Sequence, residues 1–159
     1  MTLTPLLDAP LVIQIHVIAA CAAVLLGPLA MLRRNRDIWH KRLGRTWVLA
    51  MVVTALSSFA INEIRMLGPF SVIHALSVLT LIGLWQAVAH ARRGQIAAHR
   101  KQVLGLYTYA IGIAGLFTLL PGRRMSEVLF PASPWTGFWT IAALLSLAIL
   151  AAGLQSRRA

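Results

Sequence analysis

Five apolar runs, each about the length a helix needs to cross hydrocarbon, alternate along this chain with clusters of arginine and lysine. A bilayer core of roughly 30 Å takes about 20 helical residues to span, and only helices or closed barrels satisfy their backbone groups inside it. The runs read as residues 10–32, 46–64, 69–91, 103–120 and 135–154. None shows the period-2 alternation of a barrel strand. The expected architecture is therefore an all-α integral membrane helical bundle, five transmembrane helices in a single domain over residues 1–159. A chain that is 58% hydrophobic and only 12% charged lies far from the composition of a soluble domain.

The formal charge of +11 would point to nucleic acid in a soluble protein. Here the cations sit between apolar runs, where they act as orientation signals, and no nucleic-acid partner is expected. Twelve of the fifteen basic residues share one side: Arg33, Arg34, Arg36, Lys41, Arg42 and Arg45, then Arg92, Arg93, Arg100 and Lys101, then Arg157 and Arg158. That side marks the cytoplasm, so the N-terminus is expected outside and the protein multi-pass in the inner membrane. Trp39, Trp47, Trp85, Trp135 and Trp139 fall near span ends and are expected in the headgroup belt. Cys21 excludes an internal disulfide and reads as inert filler of an apolar run. The first run lacks a preceding basic segment, so it is expected to stay in the membrane rather than be cleaved.

The histidines carry the chemistry. His16 near the start of the first run is followed 24 residues later by His40, and His74 near the start of the third is followed 25 residues later by His99. "HKRLGRTWVLA" and "HRKQVLGLYTYA" both begin basic and turn apolar, so the chain resembles two hairpins of the same sense plus a fifth helix. At 1.5 Å per residue, His16 and His74 share a depth of roughly 7 to 9 Å from the outer surface. His40 and His99 share a second depth at the cytoplasmic side. Stripping an imidazole of water without a hydrogen bond costs roughly 2 to 7 kcal/mol, so each must bond to a neighbour or hold a ligand.

Paired imidazoles at two heights suit the axial ligation of haem b, one or two groups, with His16 and His74 on one iron and His40 and His99 on the other. This is the layout, though not the sequence, of cytochrome b561-like proteins and quinone-reducing superoxide oxidases. Ala19, Ala20, Ala23, Gly27 and Ala30 form a small-residue stripe below His16, which suits either a flat ligand or close helix packing. Arg123 and Arg124 follow the helix-stopping Pro121-Gly122 on the side that otherwise avoids positive charge. Arg123 is the candidate contact for a haem propionate, a quinone carbonyl or a lipid phosphate, with pairing to Glu63 or Glu127 the plain alternative. Glu63 and Arg65 read as an interfacial ion pair, and His90 as a surface residue. Asp8, Asp37, Glu63 and Glu127 form no buried carboxylate chain for proton transport, and phosphate-loop, nucleophile-elbow and zinc-protease signatures are absent.

Short elements in a fixed order, "HKRLG", "SSF", "FSVIH", "HRKQVLGLY" and "LLPGR", resemble a family of small predicted bacterial membrane proteins described only as a domain of unknown function. The resemblance covers roughly residues 10–130, and Val72 and Val103 depart from its pattern. It implies a bacterial inner-membrane location and motif positions at His40, Gly44, Ser58, Phe59, His74, His99, Pro121, Gly122 and Arg123. It implies no activity. The expected function is electron transfer between a quinone or small oxidant and a partner. Two alternatives stand beside it: a haem-free small-molecule or proton pathway lined by histidines, and an accessory subunit, homo-oligomeric or within a larger membrane complex, whose histidines only link helices.

Overall fold

The computed structural model of the protein describes residues 3–33, 36–61, 72–143 and 146, and all regular structure among them is helical. In chain order the helices are α1 (Thr4–Leu7), α2 (Leu11–Met31), α3 (Ile38–Ser58), α4 (Val72–Arg92), α5 (Ile96–Gly105), α6 (Gly112–Thr118) and α7 (Arg124–Leu129). A π-helical stretch, Leu106–Ile111, lies between α5 and α6, and residues 134–143 are helical. The described residues divide into a unit of Ala9–Ile111 and a unit formed by the two ends of the chain.

Local chemistry sets the boundaries in the Ala9–Ile111 unit. Pro10 stands at the N-cap of α2, where its missing N–H costs nothing. Asp37 caps α3 by accepting the His40 backbone N–H at 2.9 Å, and the Arg33 guanidinium donates to the same carboxylate at 3.0 Å. That cap starts α3 at Ile38, eight residues before the expected Thr46, and its first turns are basic rather than apolar. Lys and Arg are good helix formers, so a helix continues where hydropathy has already fallen. The same reason starts α5 at Ile96 rather than Val103.

Between them Gly94 ends α4. Its φ of +71° is a left-handed conformation, and the Gln95 N–H bonds back to the His90 carbonyl at 2.9 Å while Gly94 N–H reaches Ala91 at 3.2 Å. This is the paired-bond C-terminal motif that glycine makes inexpensive.

In this unit α2 packs along α3, α3 along α4, and α4 along α5, while the π-helical stretch meets both α2 and α4. Ala23, Trp47, Ala50, Met51, Leu84, Ala87, Leu106 and Ala110 form the core. The buried positions of α2 are mostly small (Ala19, Ala23, Gly27, Ala30), whereas Ile18 and Leu25 face outward at 69% and 68% exposure. Small residues inside and large aliphatics outside are the arrangement of a helix packed by close approach in lipid. The stripe on α2 is thus occupied by neighbouring helices. Two described helices, Leu11–Met31 and Ile73–Arg92, are long and apolar enough to cross a membrane.

Trp47 corrects one expectation. Trp39, Trp85, Trp135 and Trp139 are exposed, as belt residues should be, but Trp47 is 2% exposed and sits in the core. The early start of α3 is the reason, since it puts Trp47 more than two turns inside the helix rather than at its end.

In the unit formed by the chain ends, α1 packs against α7, Arg124 donates to the Pro5 carbonyl at 3.3 Å, and Gly137 leaves room for the Phe130 ring. The fifth expected span is helical over 134–143; its remainder, like Asn62, Glu63 and Arg65, lies outside the described residues apart from Ser146.

Candidate functional site

Ser57 and Ser58 end α3 and Phe59 is its C-cap, and successive positions on a helix turn by about 100°. Each therefore meets a different partner. Ser57 reaches His16 on α2, with Oγ 3.0 Å from Nδ1. Ser58 reaches Ser77 on α4, hydroxyl to hydroxyl at 2.6 Å, and the Phe59 ring lies 5.6 Å from the His74 imidazole, centroid to centroid. His74, Ser58, Ser77 and Thr80 are all buried. The structure thus brings His16 and His74 to one end of α3, with α3 between their helices.

Which ring nitrogen of His16 carries the proton follows from counting hydrogens. Ser57 has one, and its hydroxyl donates it to the Val53 carbonyl at 2.6 Å, with Thr54 O at 3.1 Å. The oxygen has only lone pairs left for His16, so Nδ1–H must be the donor. In the neutral ring Nε2 then holds a free electron pair.

The other level gives the same result more directly. His40, the third residue of α3, lies 3.1 Å from the Ala30 carbonyl on α2 through Nδ1. His99, the fourth residue of α5, lies 2.8 Å from the Ala87 carbonyl on α4 through Nδ1. A carbonyl accepts and cannot donate, so both rings carry a proton on Nδ1, and in the neutral ring Nε2 is the nitrogen with the electron pair. Each histidine binds back to the helix that precedes its own, so the 24- and 25-residue spacings have matching contacts. The two carbonyls differ. Ala30 is in the last turn of α2, where helical partners run out, whereas Ala87 lies inside α4 and offers its second lone pair.

Arg123 belongs to the unit of the chain ends, where its guanidinium lies over the Phe117 ring, 4.7 Å from the centroid. His90 closes the end of α4 by pairing Nδ1 with Gln95 Oε1 at 2.6 Å. Cys21 is exposed on the outer face of α2.

A second polar constellation has no counterpart in the sequence reading. Pro28 lies within α2 and has no N–H, so the Val24 carbonyl four residues earlier loses its helical donor. The Tyr107 hydroxyl, from the π-helical stretch, donates to Val24 O at 2.9 Å. Gly27 makes the approach possible, because a Cβ there would meet Tyr107 Cε2 at 2.5 Å. The dipeptide Gly27-Pro28 and Tyr107 are the available sequence signals, but nothing local links them.

A family model described as "Predicted membrane protein (DUF2306)" matches residues 13–154. No curated protein and no solved structure matches the chain.

Proposed function

The chain belongs to this family of predicted membrane proteins, and from that premise we propose that it is a five-span bundle of the bacterial inner membrane, N-terminus outside, that carries b-type haem and passes electrons between a quinone or small oxidant and a partner. The observation that supports this reading most is the tautomer of His16, His40 and His99. Each is held through Nδ1–H by an oxygen, which leaves Nε2 as the nitrogen able to bind iron. Metal-ligating histidines are generally anchored in this way through the other ring nitrogen. His16 and His74 would hold the outer haem, and His40 and His99 the cytoplasmic one. Bound haem would supply a one-electron carrier, its potential tuned by these ligands and their hydrogen bonds. Arg123, in the unit of the chain ends, is retained as a candidate contact for a quinone carbonyl.

The test is an absorption spectrum and an iron assay on protein purified in detergent from haem-sufficient cells. A Soret band that weakens in His74→Ala and His40→Ala supports the reading. Colourless, iron-free protein overturns it. A second reading, histidines as helix links only, draws on the Ala30 carbonyl, which His40 satisfies where α2 ends. It predicts that His40→Gln, which retains a donor, preserves everything the wild type does.

A further inference from the structure

Resting on the haem reading, we infer that Ser57 is the positioning residue of the outer site, fixing the tautomer and ring plane of His16 and so the strength with which Nε2 holds iron. His40 and His99 lean on backbone carbonyls, which no side-chain substitution removes. His16 leans on the Ser57 side chain, 3.0 Å away, with a backbone hydrogen bond to Thr54 beside it. The Ser57 hydroxyl cannot turn to offer its own hydrogen without giving up the 2.6 Å bond to Val53 O. It therefore presents a fixed acceptor, as a partner behind a metal ligand must. A hydrogen bond drawn from Nδ1–H raises the basicity of Nε2 and favours the ferric state; its loss weakens haem retention and raises the midpoint potential.

The experiment uses the full chain in detergent, comparing wild type with Ser57→Ala, Ser57→Thr and Ser57→Cys. Haem transfer to apomyoglobin and a spectroscopic redox titration are the readouts. Expected in Ser57→Ala is roughly 10- to 100-fold weaker retention of the outer haem and a higher potential for that component. Ser57→Thr, which keeps the hydroxyl, restores both. The cytoplasmic component stays unchanged in every variant and reports that the bundle has folded. Ser57→Cys keeps the volume but accepts weakly, so an unshifted outer potential in it overturns the inference even where the alanine variant does not fold. Wild-type protein without haem would instead remove the underlying reading. Haem-loaded wild type with an unaltered Ser57→Ala component would remove the role of Ser57 alone.

Discussion

Tyr107→Phe should destabilise the protein, and Pro28→Ala should cancel that effect. The phenyl ring of the variant still lies over Gly27, so the substitution removes only the hydroxyl that donates to Val24 O at 2.9 Å. Pro28 has already taken away the helical donor to that carbonyl. In a span there is no water to replace it. This bond lies on an exposed part of α2, so the cost of an unmade buried acceptor in soluble proteins, about 1–3 kcal/mol, is an upper bound and gives way to the range for hydrogen bonds between membrane helices, which average about 0.6 and reach about 1.7 kcal/mol. Because proline has removed the usual substitute, the upper part of the membrane range applies, about 1–1.7 kcal/mol. For a chain of this size that is a fall in Tm of about 2–7 °C. Pro28→Ala restores an N–H at the position that would reach Val24, so in that background Tyr107→Phe should cost almost nothing. The assay is a double-mutant cycle by thermal unfolding in one detergent, with a coupling of at least about 1 kcal/mol expected. Equal costs of Tyr107→Phe in both backgrounds would refute the argument, since the phenol would then not be serving the carbonyl that proline orphans.

Gly27→Ala should drive a Cβ into the Tyr107 ring and cost about 1–3 kcal/mol by overpacking, read as a lower Tm with the Tyr107 bond displaced. Gly94→Ala places a side chain at φ +71° and should cost about 1–2 kcal/mol in the same thermal assay. Single-tryptophan variants in vesicles should show Trp85 strongly quenched by bromolipid and Trp47 protected, because one is 70% exposed and the other 2%. The Arg33 guanidinium and the His40 N–H hold the Asp37 carboxyl well below the usual carboxylate range. Its folded value is lower than its unfolded one, so its contribution is present in full at neutral pH and is lost as pH falls below about 4. Asp37→Asn, which keeps the cap and loses the ion pair, should flatten that acid limb of a Tm-against-pH curve, and added salt should weaken the same effect in the wild type.

What the sequence revealed and what it hid divide along a physical line. Apolar runs announced α2 and α4 because lipid-facing Ile18, Leu25 and Leu79 need no particular partner, only an apolar surround. The beginnings of α3 and α5 were missed because they are set by a cap and by basic helix formers, to which hydropathy is blind. That error also misplaced Trp47. The histidine levels were readable as spacings, and "SSF" as a motif. The atoms that give the histidines their chemical state were not, since Ala30 O and Ala87 O are backbone oxygens, and any residue at those positions would present one. The Val24 carbonyl is hidden for the same reason, its donor standing 83 residues away. Of the hydrogen-bond partners described for His16, His40 and His99, Ser57 is the one supplied by a side chain. A chain in which two histidines lean on backbone carbonyls and the third on a hydroxyl as well as backbone has one of these anchors open to change by substitution at the acceptor. Differences in the strength of the two histidine levels should therefore track position 57 far more closely than positions 30 or 87.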